Sequence, residues 1–188
     1  QIIYELDPMT FDIVGTYKFR DANVLAHMNT LTYNPDTNLL YTTNAMIDGH
    51  RITTIDADTM SIGNTITISE RVFNLAYDKK TNQFMSIVPI DATMRRINYY
   101  TSQFQLVQSK DIDAHYDDYN NNGAFANDGK TIFATLSTVI TVDKTGNVTK
   151  IASFPKNLEI EDMDMRHNIM YAAVNMNHKV FIYTMLNY

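Results

Sequence analysis

Five histidines, a handful of arginines and two acidic runs are the side chains with chemistry to offer in this chain. His27, His50, His115 and His178 fall in polar connecting segments, and His167 falls in a short turn. Zinc wants ligands at i, i+4 or at short His spacing, and neither occurs. Asp111, Asp113, Asp117 and Asp118 offer oxygens to calcium, but not at the spacing of an EF-hand loop. A solvated acidic loop accounts for them without a metal. Glu159, Glu161, Asp162 and Asp164 form a second acidic run. Glycoside cleavage uses two carboxylates at a set separation, which residue order alone does not supply. The chain has no Cys, so a thiol nucleophile and a disulfide framework are both excluded. It also has no Gly-x-Ser-x-Gly elbow and no Gly-rich phosphate loop. No catalytic residue, metal or cofactor is therefore expected, and the chemistry left is that of recognition.

There are 12 Tyr and no Trp. A tyrosine ring gives a flat apolar body with a hydroxyl, which suits sugar faces and polar ligands. Tyr116 and Tyr119 interleave with Asp117, Asp118 and the run Asn120 to Asn122. That interleaving makes a carbohydrate platform, and the same residues equally stabilise a long turn. Arg20, Arg51, Arg71 and Arg166 are local basic groups in an otherwise acidic chain. The candidate ligand-binding residues are His27, Asn29, His50, Arg71, His115, Tyr116, Asp117 and Tyr119.

Positioning these residues falls to a repeat. Tyr33 to Tyr41 reads as a large apolar residue, a polar turn and a second apolar end. It recurs at Tyr77 to Met85, Phe125 to Phe133 and Met163 to Tyr171. The sixth place holds Asn38, Asn82, Lys130 and Asn168. Asn tolerates the positive φ of a tight turn, so each copy predicts strand, turn, strand. The last residues of the copies lie 44, 48 and 38 residues apart. A second column, Ile3, Ile52, Ile97, Val139 and Val180, opens alternating runs rich in β-branched and aromatic residues. Asp7, Asp56 and Asp143 close three of these runs and are predicted to cap turns with their carboxylates. Short strands at this period predict an all-β fold, a β-propeller of four-stranded antiparallel blades.

With the blade strands lettered A to D outward from the axis, the chain reads C-D-A-B four times and then one more C. Five blades are expected, four full repeats and a partial one, with Ile3 to Leu6 and Val180 to Tyr183 in different blades. The D-to-A and B-to-C connections share one face of such a fold. Arg20 to Asn29, Asn44 to His50 and Asp111 to Asn122 are expected to converge there, and irregular insertions on one face mark a binding face.

The 188 residues, 45% of them hydrophobic, fit one domain spanning 1–188 with a sizeable core. The net charge of −6 and pI near 5.2 argue against a nucleic-acid partner, which demands a basic face. No apolar run reaches spanning length, so membrane insertion is not expected. The start, Gln1-Ile2-Ile3-Tyr4-Glu5, has neither Met nor a signal-like segment, and a fragment of a larger protein is expected.

Two stretches carry a family likeness. Tyr41-Thr42-Thr43-Asn44 and Ile55-Asp56-Ala57-Asp58-Thr59 resemble the B strand and C–D turn of YVTN and NHL-type propeller repeats. The run Ala26-His27-Met28-Asn29-Thr30-Leu31-Thr32-Tyr33-Asn34-Pro35 is similar to a Gly-His-x-Asn-Asp-x-x-Tyr-Asn segment in propeller heads of receptor-binding proteins from phages of Gram-positive bacteria. Ala26 stands at the Gly place and Thr30 at the Asp place. Those heads are five-bladed and belong to trimeric tail fibres that bind cell-wall teichoic acid. The resemblance implies a virion-tail or extracellular location and a homotrimer held through regions outside this chain. It also implies a binding or loop-ordering role for His27 and Asn29. The expected function is a non-enzymatic host-recognition module for teichoic acid or another cell-surface glycopolymer. The alternatives are a bacterial surface propeller that scaffolds a protein partner, and a propeller polysaccharide lyase or glycosidase.

Overall fold

The computed structural model describes residues 1–20, 25, 27–44, 49–113, 121–127, 130–135, 137–143, 147–155, 157–166, 169–177 and 179–185. Every regular element among them is a strand. The chain opens with a hairpin, β1 (Ile2–Leu6) and β2 (Ile13–Lys18). Three four-stranded sheets follow. The first holds β3 (Thr32–Asn34), β4 (Leu39–Thr43), β5 (Arg51–Asp56) and β6 (Ile62–Thr67). The second holds β7 (Ala76–Asp78), β8 (Gln83–Pro89), β9 (Met94–Thr101) and β10 (Leu106–Asp113). The third holds β11 (Asn121–Asn127), β12 (Lys130–Thr135), β13 (Thr138–Asp143) and β14 (Val148–Ser153). The fourth sheet has three strands, β15 (Glu159–Arg166), β16 (Ile169–Met176) and β17 (Lys179–Met185). All pairings are antiparallel between sequence neighbours, and the inner strands β3, β7, β11 and β15 stand side by side in turn.

Local turn chemistry produces this meander. Asn38 and Asn82, the sixth-place residues, adopt φ of 55° and 53°. Asn34 and Asp78 accept the amides of Asp36 and Lys80 at 2.9 and 3.0 Å, which folds each A–B turn onto its own side chain. At the C–D turns Asp7 accepts the amides of Met9 and Thr10 at 2.8 and 2.9 Å. Asp56 accepts those of Asp58 and Thr59 at 3.1 and 2.8 Å, and Asp143 that of Asn147 at 3.0 Å. These amides favour the ionised form and hold Asp7 and Asp56 below the ordinary carboxylate pKa. In the second sheet Thr101 does the same work, its hydroxyl accepting the Gln103 and Gln105 amides, both at 3.2 Å.

The core lies in seams between sheets. Tyr41 and Ile52 of the first sheet meet Leu75, Tyr77, Phe84, Tyr100 and Phe104 of the second. The Phe84 ring sits 4.7 Å from Tyr41, 4.9 Å from Tyr77 and 4.4 Å from Phe104. Met85, Ile87 and Ile97 meet Phe133, Ile140 and Val142 across the second seam. Val139 and Leu158 meet Ile160, Met163 and Met170 across the third. Asn74, fully buried, clamps Ile87 by donating to its carbonyl at 3.2 Å and accepting its amide at 2.9 Å. β17 takes the edge of β16, whereas β1 pairs with β2. The first and last C-type strands thus lie in different sheets, as the strand pattern predicts.

One expectation needs correction. Asp111 and Asp113 are not loop residues. β10 runs to Asp113, with Asp111 opposite Arg96 and Asp113 opposite Met94. Arg96 grips Asp111 with two bonds, Nε at 2.6 Å and Nη2 at 2.9 Å. That fork-to-carboxylate pair holds the Asp111 carboxyl below its ordinary pKa and extends the strand by stabilising a cross-strand couple.

Candidate functional site

Three segments meet where the first and second sheets adjoin. The Val72 amide donates to the Gly49 carbonyl at 2.7 Å, and the Ile68 amide donates to the His50 carbonyl at 2.9 Å. Met28 forms an isolated bridge with Asn44. The Asn29 amide reaches the Thr43 carbonyl at 3.4 Å, and its side chain donates to the Phe73 carbonyl at 2.9 Å. The D-to-A connection before β3, the B-to-C connection after β4 and the D-to-A connection before β7 are thereby tied together by backbone.

This stitching builds a platform under Arg71. Its guanidinium carbon lies 4.9 Å from the centroid of the Phe73 ring, a cation–π contact. Gly49, at φ +68°, leaves the space that Arg71 fills, since a Cβ there would stand 3.3 Å from Nε. The positive φ and the close approach both call for glycine at this place. Arg71 and His27 are exposed, and Asn29 and His50 are half-buried. Four of the eight candidate residues therefore share one face.

On its far side His27 approaches β15. The Glu161 carboxylate accepts the Asn175 side-chain amide at 3.3 Å. Burial and then the neighbouring Glu159 raise its pKa, while the Asn175 bond and the His27 charge oppose that rise. Asp162, next along the strand, accepts the Leu31 amide at 3.1 Å and the Met163 amide at 2.9 Å, with the Thr30 hydroxyl at 3.5 Å. Loss of water lifts its pKa to about 7 despite those donors. Asp162 is thus the link between the fourth inner strand and the first, and its oxygens are committed to backbone. Asp164, also raised by burial, lies at the opposite end of β15. Among the described residues no three His, Asp or Glu side chains gather as metal ligands.

His115, Tyr116, Asp117 and Tyr119 lie outside the described residues, as do His167 and His178. Two contributors were not foreseen from sequence. Phe73 and Gly49 form the seat of Arg71, and Gly49 carried a signal as the lone glycine of its polar loop. Arg95 is a third surprise on the same face. It is 2% exposed and donates Nη1 to the carbonyls of Asp91 and Met94 at 2.8 and 3.0 Å. It shares the inward side of β9 with Ile97, a placement that alternation allows but charge argues against.

No family model and no curated protein matches the sequence. Solved structures do match. A Kuenenia stuttgartiensis hydrazine synthase superposes on 93% of this chain and 49% of its own, with a TM-score of 0.53 and 13% identity. A catalytically inactive virginiamycin B lyase from Staphylococcus aureus, in complex with quinupristin, covers 90% of this chain and 58% of its own at a TM-score of 0.52 and 12% identity. The WD40 repeats of RRP9 cover 85% and 51% at 0.50 and 11%. WD40 repeats build four-stranded blades around an axis. The fold is a β-propeller. At these identities the likeness extends to the fold alone, and the chain spans about half the length of the solved structures it matches.

Proposed function

We propose that the face carrying Arg71, His50, His27 and Asn29 is a receptor-binding surface for an anionic cell-surface glycopolymer of the teichoic-acid type, which it binds without turning over. The Arg71 platform is the observation that carries this reading. A chain of net charge −6 needs a local cation to hold a phosphate-bearing polymer. The Phe73 ring supports the guanidinium from one side, and a guanidinium held this way offers N–H donors in a fork that suits the oxygens of a phosphate. The two histidines supply further polar contacts beside it, and Asn29 orders the platform by holding the Phe73 carbonyl. The likeness of the 26–35 run to phage receptor-binding heads supports placing the module on a virion tail or otherwise outside the cell. In that setting each site is weak, and display on a homotrimer assembled through regions outside residues 1–188 supplies the strength.

The test is retention on Gram-positive cell walls, intact and stripped of teichoic acid, using the protein in its assembled form. Arg71→Ala should lower retention about tenfold, the worth of one charge-assisted hydrogen bond, and leave the melting temperature unchanged. Full retention by Arg71→Ala removes the platform from the account. Equal binding to intact and stripped walls removes the polymer and favours a protein partner.

A further inference from the structure

The segment that carries Arg71 alternates between two sides. Ile68 and Val72 are buried and Glu70 is half-buried, whereas Ser69 and Arg71 are exposed. Ile68 and Val72 belong to the aromatic cluster of the first seam, and their amides hold the His50 and Gly49 carbonyls at 2.9 and 2.7 Å. Both ends of the segment are pinned, and Glu70 lies on the seam side between them. A carboxylate between two buried apolar residues is unfavourably placed, because partial burial strips water from its charge.

Two contacts fix where that charge points. The Ser69 hydroxyl donates to Glu70 Oε1 at 2.6 Å. On the inner side lies Tyr100, fully buried in the seam. Burial first, and the Glu70 charge after it, raise the Tyr100 pKa, while Ser86 and Asn98 oppose the rise. Arg71 faces the other way, its guanidinium carbon 4.9 Å from the centre of the Phe73 ring. Among the described residues, Glu70 and Arg71 form no ion pair with each other. The cation of the platform is thus kept apart from the carboxylate next to it in the chain.

We infer that Glu70 sets how much negative charge the Arg71 platform accepts, favouring phosphodiesters, with one charge per phosphate, over phosphate monoesters, with two. This rests on the reading of the platform as the binding surface. A lone guanidinium would prefer the monoester, because Coulomb attraction doubles with the ligand charge. Repulsion from Glu70 doubles in the same way and trims that preference. The cost of stripping water from the ligand grows faster than its charge, so the doubly charged group becomes the worse ligand. Ser69 keeps the arrangement open by holding the carboxylate away from Arg71.

The probes are beads bearing one dextran modified at equal density with either phosphate monoesters or methyl phosphodiesters. They are used at low salt and about pH 8, where a monoester carries close to two charges. The protein in its assembled form should bind the diester beads more tightly. Glu70→Gln should raise apparent affinity about threefold for the diester and about tenfold for the monoester, one Coulomb factor per ligand charge. Ser69→Ala, which frees the carboxylate to swing toward Arg71, should weaken binding to both, and combining it with Glu70→Gln should restore binding. Arg71→Ala separates the two readings. If it leaves binding to both beads unchanged, the platform reading fails and this inference with it. If Arg71→Ala weakens binding but Glu70→Gln strengthens both bead types equally, or neither, the platform stands and Glu70 has no part in selecting charge. A parent that prefers the monoester overturns the inference as well.

Discussion

Phe104 is 6% exposed and meets three aromatic rings in its seam, those of Tyr41, Phe84 and Tyr100, while Phe11 is 39% exposed and meets Tyr171 across a cleft. Both sit at the same left-handed turn position, on the same kind of hairpin, facing the same column of tyrosines. What separates them is the inner hairpin of their own sheet. β7 and β8 bring Tyr77 and Phe84 into the first seam, and β1–β2 has no such partner among the described residues. Burial in this fold is therefore supplied by the inner A and B strands. The outer pair has the right residues and gains little from them alone.

The largest expected effect tests that attribution directly. Phe84→Ala removes the ring that three others pack on, and should cost about 3–5 kcal/mol, read as a lowered melting temperature or denaturation midpoint. Phe133→Ala, equally buried in the second seam, should fall in the same range. If Phe84→Ala melts like the parent, the first seam is not held by its aromatic cluster and the contrast with Phe11 loses its meaning.

A smaller effect is expected where the same sheet is held by polar bonds. Asn74→Ala leaves the Ile87 amide and carbonyl buried without their partner, which costs about 1–3 kcal/mol. Hydrogen exchange at the Ile87 amide should accelerate more than at Ile97. Uniform acceleration across β8 and β9 would show a global loss of stability and not a local clamp.

How far the sequence foretold these seams depends on the range of the interaction. The carboxylate caps of Asp7, Asp56 and Asp143 were legible because each bonds amides within four residues. Thr101 was not recognised as their equivalent, since a hydroxyl replaces the carboxylate. The columns ending in Tyr41 and Phe133 correctly marked buried positions, because a two-residue period separates the faces of a strand. Which seam each face enters is a tertiary matter, so the Tyr41–Phe84–Phe104 stack could not be read. Asp111 misled for a related reason. Its partner Arg96 lies 15 residues back, and without that pair an acidic run resembles a loop. At the candidate site His27, Asn29, His50 and Arg71 were found through loop placement and composition. The Phe73 seat of Arg71 was missed, because a cation over a ring two residues away leaves no pattern in the chain.

The junction of the fourth and first inner strands should answer to pH. Asp162 has a folded pKa of about 7, above the ordinary 3.8. Between those values the native state keeps a proton that the unfolded chain has released, so stability falls as pH rises from about 4 to about 7 and then levels. Glu161 and Asp164 shift upward too and add to the same slope. Asp7, Asp56, Asp91 and Asp111 shift downward, and their contribution is lost only below the ordinary carboxylate range. Asp162→Asn should flatten the pH 4–7 slope of the melting temperature while sparing the acid limb. An unchanged slope would assign it to other groups.

The smallest effect is the sharpest comparison, because one substitution is placed at both turns. Glycine at either position removes a side chain from a left-handed backbone that L residues occupy at a cost of about 1–2 kcal/mol. At Phe104 the lost packing against Tyr41, Phe84 and Tyr100 exceeds that relief, so Phe104→Gly should destabilise by about 2 kcal/mol or more. At Phe11 the ring is more than a third exposed and has one aromatic neighbour, so its burial is worth about 1 kcal/mol. Phe11→Gly should therefore change stability by less than about 1 kcal/mol in either direction, the relief and the lost burial nearly cancelling. Paired melts of the two variants decide it. Should both lose the same stability, the cleft beside Phe11 is as well packed as the first seam. Should Phe11→Gly lose more stability than Phe104→Gly, the ring beside Tyr171 is the better packed of the two, and the contrast between the seams fails.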